Sequence, residues 1–420
     1  MTTTLDVYLH RHQIGQLGLD AARRFRFQYD GAWIEQADAV PLSLALPIQA
    51  EAFEDDKARP FFANLLPEAE LRQAIARQLG LSEQNDFALL EAIGGECAGA
   101  VSVVPAGTPL PEPAGYLALD ETALKRLVEE LPKRPMLVGE EGVRLSLAGV
   151  QDKIPVYYDG QQISIGKGDS PSSHILKPPI IRFEHTVENE AFCMQLAARM
   201  GLPVPEVTLL IQPQPLYLVA RYDRLLNDEG QLQRLHQEDF CQALSVPPDA
   251  KYEKEGGPSL RQCFDLVREQ SIQPVVDLKH LLNWVVFNYL IGNADAHGKN
   301  ISLLLTDQGP KLAPFYDLMC TAIYDGLTDR LAMRIGGEDR PDWIIGRKWQ
   351  QLAEEIGMGF RIIEQTMNKM SARIMGEAKA LAEQMGQTKE DAECYKRILN
   401  IIDQRKEKIA RAFAAHTKTK

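Results

Sequence analysis

The chain contains no apolar run approaching the roughly 18 residues that a membrane-spanning helix needs, so no membrane association is expected. Cysteine is scarce. The six residues Cys97, Cys193, Cys241, Cys263, Cys320 and Cys394 are scattered, with no C-x-x-C pair and no histidine at ligand spacing, which argues for reduced thiols packed as small apolar residues. A basic excess is also missing: 46 Lys and Arg face 58 Asp and Glu, and the formal charge is −12. A broad nucleic-acid footprint is therefore excluded, and any DNA contact is local or borrowed from a partner. The opening Met1-Thr2-Thr3-Thr4-Leu5-Asp6 lacks the basic start and apolar run of a secretory signal, so a cytoplasmic protein is expected.

What is present is an ordinary globular composition, 45% apolar and 25% charged over 420 residues, enough for two or three domains. Residues 1–105 mix strand-like runs with a helical pattern near Glu68 to Leu79 and end in a glycine-rich turn, Gly94 to Gly99, that enters a strand. The proline-rich stretch 106–119 reads as a linker. Residues 120–222 carry strands, one helix from about Glu188 to Met200, then more strands, the order of a kinase small lobe. From about 223 to 420 helical patterns dominate, including an amphipathic one in which Ile398, Ile401, Ile402, Ile409 and Phe413 recur on one side. The fold class expected is α+β, a two-lobed kinase-like fold with an additional small N-terminal α/β subdomain.

The chemistry concentrates in Gly292-Asn293-Ala294-Asp295-Ala296-His297-Gly298-Lys299-Asn300, directly after the apolar run Leu281 to Ile291. Asp295 and Asn300 have the spacing of a kinase catalytic loop, in which the Asp handles a hydroxyl proton and the Asn holds magnesium. An apolar strand, a turn at Thr306 to Gly309 and a return segment ending at Asp317 would bring a second carboxylate back to the pair. Hard oxygen donors of this kind suit Mg2+. His297 and Lys299 lie in the same loop and either could face phosphate. Upstream, Lys177 ends an apolar strand, where kinases place an ammonium on nucleotide phosphates, and Glu190 could pair with it from the following helix. The small-residue loop Leu147 to Lys153 has no G-x-G-x-x-G pattern, though its amides could still cradle phosphate.

Taken together, Leu145 to Lys153, Ile175-Leu176-Lys177, Asn189-Glu190, Arg221 to Arg224, His236 to Leu244, Asn293 to Asn300 and Pro314 to Asp317 resemble the HipA family of toxin-antitoxin kinases, over most of the chain. The resemblance implies an ATP- and Mg2+-dependent serine/threonine protein kinase with Asp295 catalytic and Asn300 and Asp317 on the metal. It implies a nucleotide site made of Ala148, Gly149, Val150, Gln151, Asp152, Lys153, Lys177, the hinge residues Ala220, Arg221 and Tyr222, and His297, Lys299, Asn300, Tyr316 and Asp317. Ser146 corresponds to the family's autophosphorylated serine, whose added charge beside the triphosphate switches the kinase off. Ala220 and Tyr222 depart from the acid and phenylalanine often found in the family, which puts a side-chain role at 220 in doubt. The implied partners are a helix-turn-helix antitoxin of the HipB type, operator DNA mainly through that antitoxin, and a protein of translation such as an aminoacyl-tRNA synthetase as substrate.

Two other readings compete. A small-molecule kinase shares the Asp and Asn spacing, but has no evident use for Ser146. A catalytically dead, antitoxin-binding corepressor has no need to keep Lys177, Asp295, Asn300 and Asp317 together.

Overall fold

The computed structural model describes residues 4–131, 136, 146, 148–149, 151–386 and 388–417, with side chains as far as 412. The chain divides into two compact units, Met1–Pro178 with Leu210–Asp249 and Leu303–Asp307, and Pro179–Leu209 with Ala250–Ser302 and Gln308–Lys420. Among the described residues, no helix is long and apolar enough to cross a membrane. All six cysteines are free and buried.

The first unit begins with an antiparallel sheet whose strands run in the order Phe25–Tyr29, His12–Leu19, Thr4–Leu9, Val101–Pro105. Phe25, Phe27 and Tyr29 alternate inward, and the helices Asp55–Ala63, Ala69–Leu79 and Asp86–Ile93 add Phe61, Phe62, Leu71, Ile75, Phe87 and Leu90 to one core. Each such large side chain stabilises the unit by about 1.5–3 kcal/mol relative to exposure.

A second, six-stranded sheet carries, in spatial order, Pro113–Ala118, Ile163–Gly168, Ile154–Tyr158, His174–Lys177 and Leu216–Ala220. Its sixth strand, Val207–Leu210, ends at the unit boundary. The helix Glu121–Glu130 adds Leu124 and Val128 to its core. The stretch expected as a linker, 106–119, thus contains a strand. Pro113 is tolerated because it opens an edge strand, where a missing amide costs no ladder bond.

Two further expectations change. The boundary placed at 222 does not match the compact units, since the helix Thr186–Arg199 belongs to the second unit and residues 210–249 to the first. Nor does helix begin at 223: Arg224–Leu226 and Leu232–Arg234 form a hairpin, and His236–Asp239 is a third short strand. Only then does Asp239 cap the short helix Phe240–Ala243, in a reciprocal box with Gln242.

The second unit is mainly helical, with Thr186–Arg199, Leu260–Gln270, Pro274–Ile291, Gly346–Glu355, Phe360–Met385 and Lys389–Thr417. Along Phe360–Met385 the buried residues Ile363, Met367, Met370, Ile374, Ala378 and Leu381 keep helical spacing and form one stripe. The last helix buries Tyr395, Ile398, Ile402 and Ile409, while Phe413 lies outside the described side chains.

Candidate active site

The second unit builds the acidic end of the site. Helix Pro274–Ile291 starts with proline in its first turn and stops at Gly292, which has φ +72°. A Cβ at Gly292 would lie 2.6 Å from Ile401 Cγ2 and 3.0 Å from Ala322 Cβ, so glycine alone lets the helix end there. Asn293 then locks the loop from both sides of its amide: Nδ2 donates to Asn288 Oδ1 at 2.8 Å, and Oδ1 accepts the Asp295 N–H at 3.0 Å. The Ala294 N–H donates to Thr321 Oγ1 at 2.7 Å. The Asp295 carbonyl accepts the His297 N–H at 2.9 Å and Asn300 Nδ2 at 3.0 Å.

These bonds leave the Asp295 side chain 45% exposed in a loop whose other polar members are buried. Its Oδ1 accepts the Tyr252 hydroxyl at 2.6 Å and stands 3.9 Å from His297 Nε2, and the Tyr252 and His297 rings meet edge to face at 5.3 Å. Tyr252 was not among the residues singled out by sequence. Its only signal is an aromatic between Lys251 and Lys254, 43 positions before the aspartate. His297 and Lys299 are buried rather than solvated.

The return segment closes on the same loop. The Ala313 N–H donates to Ser302 O at 2.9 Å, and the Tyr316 hydroxyl donates to Lys299 O at 2.5 Å and lies 3.0 Å from Ser302 Oγ. Asn300 follows Lys299, and Asp317 follows Tyr316, so the two expected metal ligands flank one hydrogen-bonded pair. Asp317 takes φ +60°, a left-handed conformation that aspartate tolerates better than most residues. Because Asn300 commits its nitrogen to Asp295 O, its side-chain oxygen is the donor it has to offer a metal, as Asp317 has its carboxylate. That all-oxygen pair fits a magnesium ion. Glu190 is 1% exposed on the helix Thr186–Arg199 of the same unit.

The first unit carries the other expected residues. Lys177 ends the strand His174–Lys177 opposite Tyr217, is buried, and places its ammonium 5.4 Å from the Tyr217 ring centroid. Ala220 ends the next strand opposite His174. The Arg221 N–H donates to Ser173 O at 2.9 Å. Its guanidinium holds Asp223 through two bonds of 2.9 and 2.8 Å and reaches Ser172 Oγ at 3.0 Å. Tyr222 donates its hydroxyl to Gln237 Oε1 at 2.7 Å.

Asp223 in turn accepts the Gly99 N–H at 2.7 Å, and Arg224 lies 3.2 Å from Glu96. Burial opposes ionisation of Asp223, but Arg221 and Arg224 outweigh it and hold the carboxyl below the usual range. Burial likewise opposes ionisation of Glu96, and Arg234, Arg221 and Arg224 prevail. Gly99, at φ +73°, comes so close to the strand His236–Asp239 that a Cβ would lie 2.9 Å from the Gln237 N. The same strand is tied down at Glu238, which accepts Ser43 Oγ at 2.5 Å and Leu44 N at 2.9 Å, and whose carboxyl burial pushes up to about 7.

The expected phosphate loop rests on the N-terminal subdomain. Ser146 is fully buried: its Oγ donates to Leu65 O at 2.7 Å and its N–H to Glu96 O at 2.8 Å. Glu68 N donates to Gly149 O at 3.1 Å, Gln151 Nε2 to Pro178 O at 2.9 Å, and Lys153 Nζ to Ala148 O. Burial raises the Asp152 carboxyl above its ordinary range. Val150, with Arg144, Leu145 and Leu147, lies outside the described residues. The described members of the expected site therefore divide between the two units.

Comparison with known proteins places the chain in a family. The family model for the HipA N-terminal domain matches residues 5–104, and that for the HipA-like C-terminal domain matches 145–383. Sinorhizobium fredii Y4mE, named as a candidate kinase, is 44% identical over 87% of this chain and 89% of its own length. The serine/threonine-protein kinase toxin HipA of Shewanella oneidensis is 33% identical over 89% of this chain and 88% of its own. A solved complex of the Shewanella oneidensis HipA, HipB and operator DNA superposes with TM-score 0.84 at 30% identity, covering 98% of this chain and 97% of that one.

Proposed function

The chain belongs to the HipA family, and on that footing we propose that it is an ATP- and Mg2+-dependent serine/threonine protein kinase, the toxin of a toxin-antitoxin pair. The observation that carries the reading is the 2.6 Å bond from the Tyr252 hydroxyl to Asp295 Oδ1. It supports the reading because this carboxylate already accepts the hydrogen of a hydroxyl, which is the task of a catalytic aspartate toward a serine or threonine.

In this reading Asp295 takes up the substrate's hydroxyl proton, and the Asn293 and Asn300 bonds keep its loop from yielding as it does so. Asn300 and Asp317 hold magnesium, which when bound neutralises charge on the phosphate oxygens. Lys177 and the backbone of Ala148 to Lys153 bind the triphosphate, and Lys299 and His297 contribute at the acidic end. Glu190 is proposed to orient Lys177, and the stretch Ala220 to Tyr222 to border the adenine, with Arg221 acting as its brace. A partner of the HipB type is proposed from the Shewanella oneidensis complex, and the charge of −12 fits operator contact made through that partner. A translation protein in the cytoplasm, of the aminoacyl-tRNA synthetase kind, is the proposed target.

The test is a phosphate map of the Leu145 to Lys153 peptide on phosphatase-treated protein, before and after incubation with ATP and magnesium. New phosphate on Ser146, absent from an Asp295→Asn control, supports self-limiting protein phosphorylation. ATP turnover without phosphoprotein would move the assignment to a small-molecule kinase, and neither would leave an antitoxin-binding scaffold.

A further inference from the structure

Outside the proposed active site, the second unit gathers one imidazole and two carboxylates. His185 precedes the helix Thr186–Arg199, Glu188 lies in its first turn, and Asp391 lies in the first turn of Lys389–Thr417. One ligand atom from each falls within 4.8 Å of the others, and His185 Nδ1 stands 3.8 Å from Asp391 Oδ1. Glu188 is only 6% exposed. Among the described residues its carboxylate has no partner beyond its own backbone amide and the other two members of this cluster. A buried carboxylate left in that state is costly unless a cation neutralises it.

We propose that His185, Glu188 and Asp391 bind a divalent transition-metal ion, zinc by their chemistry, at a structural site that joins the two helices. Imidazole nitrogen and carboxylate oxygen are both donors that zinc accepts, and water would complete four-coordination. Zinc bonds of about 2.0 Å place tetrahedral ligands about 3.3 Å apart, so modest side-chain rotation closes the cluster. Asp391 can serve without losing its capping role, because its Oδ2 takes the Thr388 N–H at 3.3 Å while Oδ1 faces the histidine. Magnesium is a poor competitor, since it prefers six oxygen ligands and retains its waters.

The site would stiffen a functionally placed turn. Asn189, next to Glu188, donates Nδ2 to Cys320 O and accepts the Cys320 N–H, each at 3.0 Å, three residues past Asp317. Glu190 follows immediately.

The experiment uses the full chain, stripped with chelator and desalted, and titrated with zinc chloride alone against a chromophoric competitor, with melting followed in parallel. The parent is expected to bind one equivalent that millimolar magnesium does not displace. Its melting temperature should rise by about 3 °C at a hundredfold excess over the dissociation constant. His185→Gln and Asp391→Asn, the latter keeping the helix cap, are expected to weaken zinc at least tenfold while their circular dichroism matches the metal-free parent. No stoichiometric zinc, zinc bound equally by parent and variants, or zinc displaced by magnesium would each overturn the site. Should one variant fail to fold, Glu188→Gln provides the same comparison.

Discussion

The loop at Asn293 to Asn300 and the loop at Ser146 to Lys153 are held in different ways. In the first, side chains bond to backbone within a few residues: Asn293 to Asp295, Asn300 back to Asp295, with Thr321 bracing Ala294. In the second, one local bond from Lys153 to Ala148 is joined by bonds to the N-terminal subdomain, from the Ser146 hydroxyl to Leu65 and through backbone groups to Glu68 and Glu96. A loop that carries its own restraints keeps its shape whatever its neighbours do. A loop that leans on another subdomain can be released by anything that weakens that support.

The comparison can be broken or sharpened by mutation. The largest effect is expected from Asp295→Asn, which should lower phosphotransfer about 10²–10⁴-fold with melting unchanged, because the side chain is half exposed. Rate is read by phosphate incorporation and stability by thermal melting. Next is Arg221→Ala, which takes from the buried Asp223 its two-bond partner and leaves it Arg224 and the Gly99 N–H, and should cost about 3 kcal/mol in denaturant unfolding. Glu96, whose carbonyl holds Ser146, loses a charge partner in the same variant, so proteolysis within residues 144–153 should accelerate. A stable Arg221→Ala protein would mean that the second loop is not propped as described.

Smaller is Tyr252→Phe, which removes one bond to a carboxylate and should reduce kcat roughly tenfold with little change in melting. The smallest is a slope of at most about 1.2 kcal/mol per pH unit, set by Glu238. Its folded carboxyl titrates at about 7 against an ordinary 4.5. Below 4.5 both folded and unfolded chains are protonated and nothing is lost. As pH rises towards 7 the unfolded chain ionises first, so stability falls across that window. Glu238→Gln should flatten the slope in urea melts taken from pH 5 to 8, and an unchanged slope would remove Glu238 from the account.

The same contrast decides what the sequence discloses. Asp295, Asn300 and Asp317 are legible because their relation is local: one turn and one return segment set it. Lys177 is legible for the same reason, at the end of a short apolar strand. Tyr252 is not, since nothing near it in the chain points 43 residues ahead. The Ser43 to Glu238 bond spans 195 positions and is invisible to any window. Pro113–Ala118 was hidden by its composition, and the hairpin Arg224–Leu226 with Leu232–Arg234 by brevity, with Leu225 and Leu226 exposed where burial would have marked a strand. Arg221 was read as a nucleotide neighbour because its segment resembles a hinge. Its buried pairing with Asp223 is a tertiary fact that the dipeptide spacing only hints at.

The burial of Ser146 has a further consequence. Its hydroxyl donates to the Leu65 carbonyl in a slot with no exposed surface, so a modifying group can reach it only after the loop has lifted out. A phosphate there would present oxygens to a carbonyl oxygen, acceptor against acceptor, and would be too large for the space a hydroxyl fills. The loop could not reseat until the phosphate was removed. Any phosphate on this residue would thus be a tally of past excursions, a ratchet that turns a transient opening into a lasting record and ties each molecule's working life to how often its loop has slipped free.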